Sequence, residues 1–273
     1  MPTPFLLLAA SRFALLPVLA VLCACNLAPV GGGRRGAAEP RPTAADPARA
    51  TPTPWRTIGT SVESRPLELR TVGYGPRRAL WIGGIHGDET EGSVATELLP
   101  EAFLAAGLAP LATLTIVKDV NPDGRAARQR RNARGVDLNR NYPAKNYRPG
   151  DDRGPAALSE PEAQALHDLV LELRPEIVLV AHSWGRKASG PRAFINFDGP
   201  ADRIARRFAV ASGYPVVPST DIHGTPGSLG SFVGIDLGIP ILTIEYARGD
   251  DPKQCWEATR AAILGAIAPP VES

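Results

Sequence analysis

Four side chains that can bind a metal ion or transfer a proton lie at or just beyond the ends of apolar runs in this chain. They are His86, Glu89, His182 and Glu245. Short apolar runs predict buried strands, and open α/β sheets gather their chemistry at the carboxyl ends of strands. We therefore expect the four side chains to meet at one edge of a sheet.

His86 and Glu89 are spaced so that an imidazole and a carboxylate can face one point, and His182 can add a second nitrogen. Two neutral imidazoles and one carboxylate suit three positions of a tetrahedral Zn²⁺ site. A remaining position left to water is typical of catalytic zinc, whereas structural sites usually close with Cys or His ligands. No cysteine lies between residues 26 and 254, so the pattern favours one catalytic Zn²⁺.

Glu245 and the segment 132–143 can supply the remaining chemistry. A carboxylate close to a zinc-activated water can take its proton and pass it to the leaving amine. Within the segment, Arg140 can hold a carboxylate by two hydrogen bonds, and Asn139 can add a donor. Together these groups indicate a hydrolase that recognises a carboxylate on its substrate.

The order of these motifs resembles that of the zinc carboxypeptidase family over about residues 67–267. The shared pattern is His-x-x-Glu, then Gly-Val-Asp-x-Asn-Arg-Asn, a later His, and a late Glu on a strand. Three segments look most like the murein peptide amidases, which cut the γ-D-glutamyl to meso-diaminopimelate bond of peptidoglycan peptides. These segments are 121–124, 135–143 and 225–231. The resemblance implies a single α/β domain with a mixed, twisted sheet flanked by helices.

The resemblance also implies a role for each candidate residue. The zinc ligands would be His86, Glu89 and His182. Glu245 would be the general base, while Asn139 and Arg140 would grip the free carboxylate of the substrate.

Two further positions follow from the same resemblance. The family places an arginine just before the Gly-Val-Asp motif, where it polarises the scissile carbonyl and stabilises the oxyanion. Arg130 fits that offset best among the four arginines of the stretch 128–134. Relatives also carry a tyrosine that covers the bound substrate, whereas this chain has His223 near that position. Either His223 covers the substrate, or the lid and the specificity differ.

Several of these groups also have plainer explanations. Glu245 could be an edge carboxylate paired with Arg248, and Arg140 could anchor its loop to Asp137. Burying an acid at the end of an apolar run is costly unless something compensates the charge, which favours a functional Glu245. Asp88 either orients a metal ligand or caps the following helix.

The first 57 residues lie outside the expected catalytic domain. Residues 1–25 have the short apolar core of a secretory signal peptide, and they end at Cys25, which resembles the lipidated residue of a bacterial lipoprotein. Residues 26–57 are rich in Gly, Ala, Pro and Arg and predict a flexible linker, whereas residues 58–270 form the domain. We therefore expect an exported bacterial protein, periplasmic or anchored to the membrane through Cys25.

Composition argues against other classes of protein. A net charge of +2 is close to neutral and argues against a nucleic-acid binder. Cys255 is the only cysteine beyond the signal region, so no disulfide is expected within the domain. We expect a monomer whose partner is a peptide substrate.

Apolar patterning predicts strands alternating with helices. The strands are expected near residues 67–74, 79–85, 114–121, 177–181, 193–196 and 241–245, and the helices near 91–106, 160–173, 201–212 and 254–267.

The leading functional hypothesis is a zinc hydrolase that cleaves an amide beside a residue with a free carboxylate, in murein peptides outside the cytoplasm. A metallocarboxypeptidase acting on ordinary protein C-termini, or an acyl-amino-acid deacylase, would use the same metal set. An inactive cell-wall binding module is the alternative from another class. It is disfavoured because every expected metal and base position is filled.

Overall fold

The computed structural model describes residues 51–185, 191–219 and 225–270. A seven-stranded sheet forms its centre. The strands are β1 (Arg56–Thr60), β2 (Pro66–Val72), β3 (Arg77–Ile82), β4 (Ala112–Val117), β5 (Ile177–Trp184), β6 (Phe194–Asp198) and β7 (Ile241–Ala247). Their order across the sheet is β1-β2-β4-β3-β5-β7-β6. Strands β4, β3, β5 and β7 run parallel, while β1, β2 and β6 pair antiparallel with their neighbours.

Helices cover both faces of this sheet, which confirms the predicted α/β fold class. They are α1 (Ser93–Ala105), α2 (Pro122–Ala127), α3 (Pro161–Leu173), α4 (Asp202–Ser212) and α5 (Pro252–Ile267). Helices α1, α4 and α5 contribute to the apolar core on one face, and α3 contributes to the core on the other. A π-helical segment, Gly230–Asp236, also packs on the α3 face. Among the described residues, no helix combines the length and the apolarity needed to cross a membrane.

The parallel strands at the centre are apolar because both of their faces are covered. Residues 79–82 of β3 are at most 1% exposed. The parallel register places Ile82 beside Val180 and, farther along β5, His182 beside Glu245. The carboxyl ends of these strands therefore meet at one edge, as the positions of the chemical groups predicted.

The loop between β3 and α1 is longer than predicted. The sequence predicts that the strand reaches residue 85 and that the helix begins near residue 91, whereas β3 ends at Ile82 and α1 begins at Ser93, with Glu89 in the loop between them. The loop packs closely against β5. A Cβ added at Gly92 would lie only 2.5 Å from the Cβ of Ala181, so position 92 has no room for a side chain. These residues pack along β5 instead of forming the first helical turn.

Within the described residues, regular structure is already present before the predicted boundary at residue 58. Strand β1 begins at Arg56, inside the expected linker, and the N–H of Thr53 already donates to the carbonyl of Thr71 at 2.8 Å. Trp55 gives the physical reason. It is the only aromatic residue of the stretch 26–57, and the Arg70 guanidinium lies 4.5 Å from the centre of its ring.

Several predictions fall outside the described residues. These are the signal peptide, Cys25, most of the linker, and His223. Within the described part, the structure adds four short elements to the prediction: β1, α2, a 3₁₀ turn at residues 138–140 and the π-helical segment. Elements of this length contain too few residues to show a clear period.

Candidate metal centre

His86 reaches the edge of the sheet through a tight turn after β3. The turn is held by the N–H of Gly87, which donates to the carbonyl of Arg130 at 3.4 Å. Gly87 packs directly on the backbone of Gly124 in α2, and a Cβ at position 87 would overlap that backbone. Glycine is therefore required for the close approach that places His86.

His86, Glu89 and His182 converge on one point. One donor atom from each residue lies within 4.8 Å of the others. Oε1 of Glu89 is 2.9 Å from Nδ1 of His86, and Oε2 is 2.9 Å from Nδ1 of His182. All three residues are buried. Two imidazole nitrogens and a carboxylate form a donor set that suits Zn²⁺.

The Nε2 atom of each imidazole has a partner outside the cluster. Both Nδ1 atoms therefore face the point that the three residues share. Nε2 of His86 lies 3.0 Å from Oδ1 of Asp137, and Nε2 of His182 lies 3.4 Å from Nδ2 of Asn139. Carboxylate–histidine pairs of this kind orient metal-binding imidazoles. Nδ1 of His86 is buried and lies 2.9 Å from Oε1 of Glu89, but among the described residues neither Glu89 nor any other group meets the geometry of a hydrogen bond with it. A metal ion would supply that partner, so the site fits Zn²⁺.

The charges of the three residues depend on one another. Burial opposes the imidazolium form of His86, but Glu89 and Asp137 outweigh burial and raise the pKa of His86 to about 9. Burial lowers the pKa of His182. Burial also opposes the Glu89 carboxylate, yet the two imidazoles keep its pKa well below the ordinary value. Without metal the site therefore holds a proton on His86, which Zn²⁺ would displace.

Asp137, and not Asp88, is the carboxylate that orients a ligand histidine. Asp88 instead accepts a hydrogen bond from Nη1 of Arg248 at 2.9 Å. Arg248 also approaches Oε1 of Glu89 at 3.4 Å. Its guanidinium is directed to these two acids, so pairing with Glu245 does not account for its position.

Arg130 extends toward the metal ligands. Its Nη1 donates to Oε1 of Glu89 at 2.9 Å, and its Nε donates to Oδ2 of Asp137 at 3.2 Å. The neighbouring side chains of Arg131 and Arg134 pair with acids elsewhere. Because the Arg130 side chain is 42% exposed, it faces both the buried ligands and the open side of the site.

Strand β7 brings Glu245 into register with His182. Glu245 is half-buried, and burial raises its pKa to about 8, with the negative charge of Glu89 adding to the rise. A carboxylate with this pKa can accept and return a proton near neutral pH. The charges of Glu89 and His86 both act on the pKa of Glu245, so its carboxylate lies near the metal ligands.

Asn139 and Arg140 lie in a short 3₁₀ turn at residues 138–140. Oδ1 of Asn139 accepts the N–H of Leu229 at 2.9 Å, and Nη1 of Arg140 donates to the carbonyl of Asn139 at 2.7 Å. In the described part of the chain, the ion pair that anchors Asp137 is not made by Arg140. The charges of Arg140 and Asp137 still act on each other over a longer distance, and further donors of Arg140 can serve a ligand carboxylate.

The sequence prediction missed the residues that shape the loop 130–137. Asn132 is only 2% exposed, and its Oδ1 accepts two backbone N–H groups of the loop. Its Nδ2 donates to the buried carboxylates of Glu160 at 2.7 Å and Glu162 at 3.3 Å. Asn132 begins an Asn-Ala-Arg-Gly sequence whose Gly135 has a φ of 77°, and this turn signal could have identified the loop.

Glu91 is a second residue that the prediction missed. Its Oε1 accepts the N–H of Gly249 at 2.7 Å, and its Oε2 accepts the hydroxyl of Ser183. The N–H of Ser183 in turn donates to Oε2 of Glu89 at 3.0 Å. Glu91 thus ties the loop that carries Glu89 to the ends of β5 and β7, a role that no local sequence pattern signals.

Comparison with known proteins agrees with this geometry. A family model described as zinc carboxypeptidase matches residues 49–209, more than half of the chain. Murein peptide amidase A from Escherichia coli strain K12 is 33% identical over 183 residues, which cover 61% of this chain and 70% of that protein. Gamma-D-glutamyl-L-diamino acid endopeptidase 1 from Lysinibacillus sphaericus is 27% identical over 245 residues, covering 71% of this chain and 61% of that protein.

A solved structure shares the fold and the length of the domain. The crystal structure of murein-tripeptide amidase from Escherichia coli O157 aligns with a TM-score of 0.61 and 27% identity, covering 84% of this chain and 98% of that chain. The chain is thus a hydrolytic enzyme related to murein peptide amidases, with zinc as its cofactor and a His-Glu-His site to hold it. It belongs to the zinc carboxypeptidase family.

Proposed function

We propose that this enzyme hydrolyses the γ-D-glutamyl to diaminopimelate bond of murein peptides, beside the free carboxylate of the diaminopimelate residue. One observation carries the proposal: Glu245 and the Asn139–Arg140 turn flank the same His-Glu-His cluster. The names of two relatives support the choice of substrate, since one is a murein peptide amidase and the other a γ-D-glutamyl-diamino acid endopeptidase.

In the proposed mechanism, Arg140 and Asn139 hold the substrate carboxylate and so fix the position of the scissile amide. Charged, two-pronged hydrogen bonds give such contacts their specificity. Zn²⁺ held by the His-Glu-His residues would polarise the carbonyl and acidify a water molecule.

Arg130 and Glu245 act on the reacting atoms in this proposal. Arg130 donates hydrogen bonds to the carbonyl oxygen as negative charge develops there. Glu245 accepts the proton of the attacking water and returns it to the leaving nitrogen. The partly exposed guanidinium of Arg130 and the half-buried carboxylate of Glu245 give both groups access to a bound peptide.

The substitution Glu245→Gln tests the general base. We expect kcat on a murein tripeptide to fall by about 10²- to 10⁴-fold, because the amide cannot accept a proton. Zinc content, measured by elemental analysis, should stay at one ion per chain, because Glu245 is not a ligand. Near-normal turnover of the pure variant would contradict the role of Glu245.

The substrate is tested with three peptides in parallel: a murein tripeptide, an ordinary peptide with a free C-terminus, and an acylated amino acid. We expect the highest kcat/KM on the murein tripeptide, with products identified by mass spectrometry. Preference for either of the other two would assign the enzyme to ordinary metallocarboxypeptidases or to acyl-amino-acid deacylases. A purified protein without zinc and without turnover would indicate a binding module.

We also propose that the enzyme acts outside the cytoplasm, as the apolar start of the chain and Cys25 suggest. Loss of membrane association in a Cys25→Ala variant of the full chain would support lipid anchoring. An unchanged distribution between membrane and soluble fractions would contradict it.

A further inference from the structure

The loop that carries Glu89 borders a cavity on one side. The cavity has a volume of about 260 Å³ and is lined by residues of this loop, of the first turns of α1 and of the segment that follows β4. Close packing of side chains normally fixes the position of a buried backbone, and such packing is missing where the cavity lies. The position of the loop on this side therefore depends on polar contacts.

The guanidinium of Arg125, which also lines this cavity, links the loop to a carboxylate. Arg125 belongs to α2. Its Nη1 donates to the carbonyl of Glu89 at 3.0 Å and to that of Gly87 at 3.3 Å. Its Nε and Nη2 donate to Oδ1 of Asp119 at 3.0 Å and 2.9 Å. The planar fork of an arginine suits such a set of contacts, which a lysine cannot reproduce in full.

Asp119 lies on a segment of backbone that is bound to the turn after β3. A Cβ at Gly84 would overlap Oδ1 of Asp119, and the φ of Gly84 is 61°. The N–H of Asn121 donates to the carbonyl of Gly84 at 2.8 Å. Burial raises the pKa of Asp119, although the charge of Arg125 opposes the rise. Arg125 is thus also a countercharge for a carboxylate that is largely withdrawn from water.

Glu89 is the metal ligand that these contacts position. Its two carboxylate oxygens lie 2.9 Å from Nδ1 of His86 and 2.9 Å from Nδ1 of His182. The bond from Arg125 to the carbonyl of Glu89 restrains the peptide group beside its Cα, and the bond to Gly87 restrains a second peptide group earlier in the loop. Residues of a metal site must be held within about 0.5 Å of their productive positions. Arg125 supplies this restraint on the side where packing does not.

We propose that Arg125 is a positioning residue of the metal centre, which holds the backbone of the loop so that the carboxylate of Glu89 faces the metal. Arg125 acts through Glu89, because its own donors are directed to Asp119 and to the two carbonyls. The inference concerns metal binding alone. It therefore does not depend on which peptide the enzyme cleaves.

The substitution Arg125→Ala tests this role. We expect zinc affinity, measured without substrate by competition with a chelator, to fall about 10- to 100-fold, the range for loss of an outer partner of a metal ligand. With zinc in excess, kcat should fall about tenfold while KM stays within about threefold. The visible absorption spectrum of the Co²⁺-loaded variant should differ from that of the wild type, because the arrangement of the ligands changes. Zinc affinity and a cobalt spectrum equal to those of the wild type would overturn the inference.

Arg125→Lys and a control at the opposite edge of the sheet sharpen this test. The lysine should restore part of the zinc affinity, since an ammonium group can still donate to one of the carbonyls. Arg78→Ala is the matched control, because Nη2 of Arg78 lies 3.2 Å from Oε1 of Glu176 and its Nε donates to the carbonyl of Arg174 at 3.0 Å. Its zinc affinity should stay within about threefold of the wild type. A loss equal to that of Arg125→Ala would contradict a specific role for Arg125.

A double variant, Arg125→Ala with Asp119→Asn, separates positioning of the loop from neutralisation of Asp119. Arg125→Ala alone leaves a carboxylate without its countercharge and should lower the melting temperature of the zinc-free protein. The added Asp119→Asn removes that charge, so the melting temperature should recover. Zinc affinity should stay low, because the two loop carbonyls still lack their donor. Recovery of zinc affinity together with the melting temperature would make Arg125 a structural residue and overturn the inference.

Discussion

The two histidines of the metal centre contact the same carboxylate but differ on their outer sides. His86 is held at 3.0 Å by Asp137, which also binds Arg130 and the N–H of Asn139. Within the described ranges, the outer nitrogen of His182 has only the Asn139 amide as a partner, at 3.4 Å. A charged partner at the shorter distance fixes an imidazole, whereas an amide at the longer distance is a weak partner. The His86 half of the centre is therefore fixed by Asp137. The His182 half is the changeable half, because its contact with Asn139 can be lost.

The hydrogen-bond chemistry of Asn139 strengthens this difference. When Nδ1 of His182 is a ligand, the neutral ring carries its hydrogen on Nε2. Nε2 of His182 and Nδ2 of Asn139 are then both donors and cannot bond to each other. Zn²⁺ in the centre would therefore release the Asn139 amide, which we propose binds the substrate carboxylate.

The largest expected effect is a pH dependence of zinc affinity that comes from His86 alone. Its pKa is raised to about 9, whereas the pKa of His182 is lowered. Between pH 6 and 8, zinc must therefore displace one proton, and apparent affinity should rise about tenfold per pH unit. Release of one proton per zinc in weakly buffered solution would confirm the difference between the two histidines. Release of two protons would contradict it.

The same proton affects the stability of the zinc-free fold. Because the pKa of His86 is raised on folding, its contribution is fully present below the unfolded pKa of about 6.5. The contribution is lost as the pH rises through about 9. Thermal melting of the zinc-free protein should therefore show lower stability at pH 9 than at pH 6.5, with a smaller difference in Asp137→Asn.

Next in size is the effect of Asp137→Asn on the fixed half. We expect zinc affinity to fall about 10- to 100-fold, because the carboxylate that orients His86 and raises its basicity is lost. Competition with a chelator measures this affinity. Asp88→Asn is the matched control, since Asp88 lies two residues from His86 yet contacts Arg248, and its zinc affinity should stay within threefold of the wild type. Equal losses of zinc affinity in the two variants would show that Asp137 does not orient His86 in a specific way.

The smallest effect on metal binding is expected for Asn139→Ala on the changeable half. Zinc affinity should stay within about threefold, because the amide is a weak partner of His182. KM for the murein tripeptide should rise about tenfold, because a hydrogen bond to the substrate carboxylate is lost. A large loss of zinc affinity with unchanged KM would contradict this prediction, because it would show that Asn139 supports His182 and does not bind the substrate.

The sequence predicted the parts of the molecule that depend on patterning. Buried runs such as residues 79–82 and 177–181 indicated the central strands, and parallel pairing then placed His182 beside Glu245. The His-x-x-Glu spacing predicted that His86 and Glu89 share one point, which the distances confirm.

What the sequence could not predict depends on contacts between distant segments. Asp137 binds His86 across 51 residues and Glu91 binds Gly249 across 158. Neither contact follows from local spacing, because the bond depends on how two loops pack in three dimensions. The sequence predicts that Asp88 orients a metal ligand or caps the following helix, whereas it contacts Arg248 and the histidine partner is the distant Asp137.

The contact between Gly87 and the backbone of Gly124 has a consequence for how this enzyme can evolve. Neither glycine donates to a ligand or moves a proton, yet any larger side chain at position 87 would push the loop away from α2. Natural variants should therefore tolerate change at position 87 as poorly as at the ligands themselves. Intolerance there would reflect the space available to the backbone, and a survey of variants alone would mistake Gly87 for a participant in the reaction.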